Sequence, residues 1–310
     1  MSNGGGSIGN GSVSTSKVPP TQVSNLSGAT ALSSTSDFNC AVAAGDVYCW
    51  GVTPLGNSSV PSIVTGVSGV TRVATGNGAG SGPAGHVCAL KADSTVICWG
   101  NNSLGQLGAG YTTPNGSDTV PALGSPANSA TPLLVKIQPT KTTTATLSGV
   151  VAISVGNSHS CALLADGTIR CWGDNNNGAL GTTSTSNWPT YPAQTGATLV
   201  EGITSAIQIA SGHEFNCALL SDLTVRCWGD NTYGQIGNGT KTGPVTTPST
   251  PLNLSGVIAV AAGQTHACAL LNNGDVKCWG GNGYGQIGDN TTTEKLTPTS
   301  TSAGPGVFAP

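Results

Sequence analysis

Residues 159–181 read HSCALLADGTIRCWGDNNNGALG, a stretch that specifies a hairpin by its own local chemistry. Placing Cys161 opposite Cys171 sets Leu164 against Thr168 and leaves a three-residue loop of Ala165, Asp166 and Gly167. A loop of that length wants a left-handed residue in last place, and glycine adopts that conformation without a Cβ clash. The Gly-rich run that follows CWG reads as a second turn.

The same unit recurs four more times. DFNCAVAAGDVYCWG ends at Gly51, GHVCALKADSTVICWG at Gly100, EFNCALLSDLTVRCWG at Gly229 and THACALLNNGDVKCWG at Gly280. Four copies follow a short alternating apolar run such as GVVAISVG or GVIAVAAG, and the clearest turns after CWG are NNSLGQLG, DNTYGQIG and GNGYGQIG. The first cysteines of successive copies lie 48, 73, 56 and 51 residues apart, the period range of propeller blades with variable loops. The fifth copy repeats the three-residue loop with Asn272, Asn273 and Gly274, while the first is shorter and leaves Ala44 and Gly45. Ser94 and Leu223 stand where the glycine is expected. A leucine there would be strained, so that hairpin is expected to use another turn.

All ten cysteines fall into pairs that straddle a hairpin turn: Cys40 with Cys49, Cys88 with Cys98, Cys161 with Cys171, Cys217 with Cys227, and Cys268 with Cys278. Opposed, non-hydrogen-bonded strand positions have Cα atoms about 4.5 Å apart, within disulfide reach. Five cross-hairpin disulfides are therefore expected. Reduced cysteines packed as small apolar groups are the plainer alternative. Zinc is weaker still, because no pair has the short C-x-x-C spacing of a metal knuckle. No metal and no cofactor is expected.

Composition excludes several functions. Lys and Arg number 10 against 13 Asp and Glu, and charged residues make up 7% of the 310-residue chain. No basic field exists to hold phosphate backbones, which argues against nucleic acid as partner. No run approaches the roughly 20 apolar residues of a spanning helix. Gly (46) and Pro (18) are abundant and charged helix faces are scarce, so an all-β protein is expected.

The pattern H-x-C-A-L, a turn, C-W-G and then N-x-x-G-Q-L/I-G resembles the repeat of the regulator-of-chromosome-condensation (RCC1-like) family, in particular its bacterial members with paired cysteines. The resemblance spans about residues 26 to 297. It implies a β-propeller of four-stranded blades, here with five repeats: a five-bladed ring or a fragment of a larger propeller. The domain reading is a Gly/Ser-rich tail or linker over residues 1–24, the propeller over 25–297 with an insertion loop at 109–148, and a C-terminal tail over 298–310.

Catalysis is not expected. His86, His159 and His266 share one repeat position with Phe38 and Phe215, which points to packing, and His213 falls outside that register. Trp50, Trp99, Trp172, Trp228 and Trp279 each belong to a C-W-G and read as blade packing. Tyr233 and Tyr284 share a turn position with Leu104 and are assigned a packing role. Partner-binding candidates are instead residues outside the repeat: Tyr111 in the insertion loop, and Trp188 and Tyr191 in SNWPTYPAQ.

Disulfides imply an oxidising compartment, so a secreted or cell-surface protein is expected. Yet MSNGGGSIGNGSVSTSK has no apolar run that could serve as a signal peptide. A mature or excised chain reconciles the two. The expected function is a non-enzymatic binding module that presents propeller loops to a protein or glycan. The alternative is a structural subunit of an extracellular filament or surface assembly, self-associating by addition of a terminal strand.

Overall fold

The structure is a computed structural model and describes residues 2–3, 5–17, 19–77, 85–110, 128–140, 143–182 and 194–302. Among them every regular element is a β-strand. Five sheets, each built on four antiparallel strands, follow one another along the chain, and a two-stranded sheet of Ser2–Asn3 and Ser14–Lys17 precedes them. The first blade contains Ala29–Ser34, Phe38–Ala43, Asp46–Thr53 and Gly56–Ile63; the second Val70–Gly76, His86–Lys91, Val96–Gly100 and Ser129–Leu134. The third contains Val150–Val155, His159–Leu164, Ile169–Gly173 and Gln194–Leu199; the fourth Ala206–Ser211, Phe215–Leu220, Val225–Gly229 and Val245–Ser249; the fifth Val257–Ala262, His266–Leu271, Val276–Gly280 and Lys295–Ser300. Within each blade the strands pair in sequence order. The chain divides into two compact units, one holding the first two blades and most of the third, the other the last two blades with the third blade's hairpin tip and Gly-turn.

Four of the five outer strands carry a proline, at Pro61, Pro132, Pro248 and Pro298. An outer strand tolerates the lost N–H because it pairs on one side only. The middle two strands are the C-A-L and C-W-G arms, and they pair in the expected register, with Cys40 opposite Cys49, Cys88 opposite Cys98, Cys217 opposite Cys227 and Cys268 opposite Cys278. All ten cysteines form disulfides, with Cα atoms 4.1 to 4.2 Å apart.

Three readings are corrected. Leu223 does adopt the left-handed conformation, with φ of +63°, and Ser94 does the same, so the hairpins without glycine keep the shared turn. The Asp222 carboxylate accepts bonds from the Thr224 N–H and hydroxyl, as Asp166 does from Thr168 and Asp93 from Thr95. That brace holds the loop whatever its last residue is. The expected insertion loop contains ordered strands: Ser129–Leu134 is the second blade's outer strand, while Lys136–Thr140 and Thr143–Thr146 extend the third blade's sheet. Finally, the expected C-terminal tail begins inside Lys295–Ser300, the strand that completes the fifth blade.

The tryptophans show how neighbouring blades are joined. The Trp172 indole N–H donates to the Gln106 carbonyl at 2.9 Å, Trp228 to Ala179 at 3.0 Å and Trp279 to Gln235 at 2.8 Å. In each case the acceptor lies in the Gly-turn of the preceding blade. The expected N-terminal tail does the same for the first blade, because the Ser7 carbonyl accepts from Trp50 at 3.0 Å. Gly6 and Gly9 take φ of +79° and +76°, like Gly105 and Gly108 at +78° and +63°. Moreover, Ser24 N–H donates to the Gly9 carbonyl at 2.9 Å, as Lys136 does to Gly108 at 2.8 Å. Residues 6–9 thus have the geometry of a blade's turn, and Ser24 stands toward them as Lys136 does toward the second blade's turn.

Candidate functional site

Of the expected partner-binding residues, Tyr111, Trp188 and Tyr191 all lie outside the described residues. The described chain shows instead what the Gly-turns present. In the fourth blade the Asn231 side-chain oxygen accepts from Ile236 N–H at 3.1 Å, and the Gln235 side-chain oxygen accepts from Tyr233 N–H at 2.8 Å. The fifth blade repeats this with Asn282 to Ile287 at 2.9 Å and Gln286 to Tyr284 at 2.8 Å. Ile236 and Ile287 are fully buried. The N-x-x-G-Q-L/I-G pattern is therefore a self-braced turn, anchored inward by its aliphatic residue and stiffened by two amide side chains.

The residue at the tip has no freedom to tuck in. Tyr284 is 95% exposed and Tyr233 46% exposed. The packing role expected for them is wrong, because the Gln side chain bonds the tip residue's own amide and aims its side chain away from the blade. The same tip position holds Leu104 in the second blade and Asn177 in the third, neither of them fully exposed. What sequence reading missed had a signal: in a turn whose Asn, Gln, Gly and Ile each have a structural task, only the tip is unassigned.

Below the tips the fourth and fifth turns are braced further. Asn231 donates through Nδ2 to the Thr240 carbonyl and Asn282 to the Thr291 carbonyl, each at 3.0 Å. Lys295 and Asp289 form an ion pair at 2.8 Å. Hydrogen bonds from Lys295 and then Thr291 hold the Asp289 carboxyl far below the usual carboxylate range.

Three of the four histidines are turned to the interior. His86 is fully buried, with Nε2 2.8 Å from the Ser160 hydroxyl. Burial, followed by the neighbouring His159, lowers its pKa to about 3. A ring that stays neutral down to that pH cannot shuttle protons near neutrality. His159 is buried as well, and half-buried His266 is lowered in pKa by burial.

Comparisons with known proteins agree with this architecture. The family profile described as "Regulator of chromosome condensation (RCC1) repeat" matches residues 81–106, 150–179, 206–235 and 257–286, and a second profile of the same description matches 166–219 and 224–270. Mouse E3 ubiquitin-protein ligase HERC2 is 28% identical over 280 residues, 83% of this chain but 5% of that protein. Human probable E3 ubiquitin-protein ligase HERC6 is 29% identical over 218 residues, 69% of this chain and 19% of that protein. The chain thus spans a small part of these curated relatives. Among solved structures, human WBSCR16 superposes with a TM-score of 0.64 at 21% identity, over 88% of this chain and 66% of that one. Yeast RCC1 (Prp20), solved bound to Kap60, gives 0.66 at 21% identity, over 88% and 60%. These likenesses are to β-propellers, and the repeats matched are the ones whose hairpins and turns are described above. The chain belongs to the regulator of chromosome condensation (RCC1) repeat family.

Proposed function

We propose that this chain is a non-enzymatic binding module of an extracellular or cell-surface protein, recognising a protein or glycan through the exposed tips of its Gly-turns. The observation that carries the reading is the pair Tyr233 and Tyr284, aromatic side chains held outward on rigid turns of successive blades. An aromatic residue fixed in advance offers large contact area at low ordering cost, which is the chemistry of interface anchors and sugar-stacking platforms. Yeast Prp20p is described with binding properties toward Gsp1p and histones, so protein recognition has a precedent on this fold. The extracellular element rests on the five disulfides, since such bonds persist in oxidising compartments.

The assembly-subunit alternative has less support. Ser14–Lys17, the strand available for donation, pairs with Ser2–Asn3 of its own chain, and Ser7 is engaged by Trp50.

The test uses the chain and its Tyr233→Ser/Tyr284→Ser variant side by side on a glycan array and an extracellular protein display library. The reading requires a ligand that the variant binds at least about tenfold more weakly, roughly 1.4 kcal/mol, with unfolding unchanged. Ligands held equally by both proteins overturn it.

A further inference from the structure

Adjacent blades meet through two faces of recurring composition. Between the first and second blades, Phe38, Cys40, Val42 and Val47 of one cluster with Val70, Val73, Ala89 and Trp99 of the other. The fourth and fifth blades repeat this, with Phe215, Cys217, Leu219 and Val225 against Val257, Val260, Ala269 and Trp279. Each blade therefore has a leading face, built around its cross-hairpin disulfide, and a trailing face, built from its first strand and its tryptophan.

Among the described residues two such faces are bare. The leading positions are buried in the first four blades, but in the fifth His266, Cys268 and Val276 are only half-buried and Leu270 is 37% exposed. Register equates Leu270 with Val42 and Leu219, because each pairs with the valine beyond the loop, Val276, Val47 and Val225 respectively. The fifth Gly-turn is bare too. Gly234, Gln235 and Gly237 are buried in the fourth blade, whereas Gly285 and Gln286 are half-buried and Gly288 is exposed.

On the first blade it is the trailing face that is open. Leu32 is 65% exposed, although in the same register Val73, Ile209 and Val260 are buried and Ile153 is half-buried. Ala29 is exposed where Val70, Val150, Ala206 and Val257 are buried. The two bare faces are of opposite kind, so the fifth blade of one copy has what the first blade of another lacks. Such a contact is heterologous and repeats from copy to copy.

The seat for an incoming turn on the first blade is held by residues 6–9. The Ser7 carbonyl accepts from the Asn39 amide at 2.6 Å and from Trp50 at 3.0 Å, as the Ala179 carbonyl does from Asn216 at 2.8 Å and Trp228 at 3.0 Å. Ser7 stands where other turns carry Gln106, Gln235 and Gln286, whose side chains brace the tip residue's amide. The N-terminal turn lacks that glutamine, and the turn at 282–288 has it.

We propose that copies of this chain associate head to tail, the fifth blade's leading face of one packing on the first blade's trailing face of the next. Leu270 and Val276 cover Ala29 and Leu32, removing apolar surface from water on both sides. The turn at 282–288 displaces residues 6–9, and the Gln286 carbonyl takes the Trp50 N–H as Gln235 takes that of Trp279. The N-terminal turn is thus a removable cap. A tethered cap competes at an effective concentration of roughly millimolar, so association is weak until the cap is loosened.

Sedimentation velocity on the chain and its variants reads this association. Gly9→Val places a side chain where an added Cβ already meets the Trp50 indole at 2.7 Å and φ is +76°, which expels the cap. That variant is expected to associate at least tenfold more tightly than the unaltered chain and to form species larger than dimers. Deleting residues 1–9 must do the same. In the Gly9→Val background, Leu32→Lys and Leu270→Lys, both at exposed positions, should each give a monomer with an unchanged unfolding midpoint. Mixed in equal amounts, these two should form a one-to-one dimer and nothing larger, because each keeps the face the other has lost. Cap-released chains that associate no more tightly than the unaltered one overturn the proposal, as does a mixture that stays monomeric. Association that survives Leu32→Lys also overturns it, since two fifth blades would then be packing on each other.

Discussion

Trp279 and Trp99 form a matched pair for measuring what a blade turn contributes. Both indoles are fully buried, and both belong to a C-W-G arm. Replacing either by Phe removes the same ring area and leaves a similar void, so the packing loss is shared. The hydrogen bond is not shared. Trp279→Phe deletes a 2.8 Å bond and leaves the Gln235 carbonyl buried without its indole donor. Trp99→Phe deletes a donor that has no partner among the described residues and so removes an existing penalty. A net bond is worth about 1 kcal/mol and an orphaned buried group costs about 1–3 kcal/mol, so Trp279→Phe should be the more destabilising by roughly 2–4 kcal/mol. Guanidinium unfolding of the oxidised chains, compared at equal slope, reads the difference. Equal losses, or a larger loss for Trp99→Phe, would refute the account of how blades are joined.

Removing one staple, Cys217→Ala/Cys227→Ala, opens a loop of about ten residues and should cost just under about 3 kcal/mol by chain entropy, read as a lowered unfolding midpoint. His86 binds its proton far less readily folded than unfolded, with a pKa of about 3 against 6.5. Stability is therefore fully present above pH 6.5 and falls as the unfolded ring charges, by roughly 3 kcal/mol at about pH 4. His86→Phe, the residue found at that position in two other blades, should flatten this slope in acid unfolding curves. Leu223→Gly relieves a left-handed leucine costing roughly 1–2 kcal/mol against about 0.5–1 kcal/mol of added backbone entropy, so a gain of up to about 1 kcal/mol in thermal unfolding is expected.

The hairpins were legible because strand pairing, loop length and cysteine spacing are local, and each constrains the others. Leu223 was misjudged because the Asp222 brace and the disulfide behind it over-determine the turn, and a propensity argument sees neither. Tyr284 was misjudged because a shared repeat position was equated with a shared packing role, although Leu104 and Tyr284 end in different surroundings. The N-terminal segment looked like a linker because glycine and serine dominate it. Only the pairing of Ser7 with Trp50 reveals that its glycines fall at the turn positions. The unbonded Trp99 indole was invisible for a different reason: the first blade replaces its Gly-turn with a tight hairpin tip at Pro54 and Leu55, and a departure in one repeat has consequences in the next.

The disulfide register is the claim on which both the blade architecture and the proposed location depend. Peptide mapping by mass spectrometry, on protein taken from its natural source with thiols blocked at lysis and left unreduced, tests it directly. The account predicts links from Cys40 to Cys49, Cys88 to Cys98, Cys161 to Cys171, Cys217 to Cys227 and Cys268 to Cys278, with no blocked thiol among the ten. Blocked thiols at these positions, or links that join one hairpin to another, would contradict it.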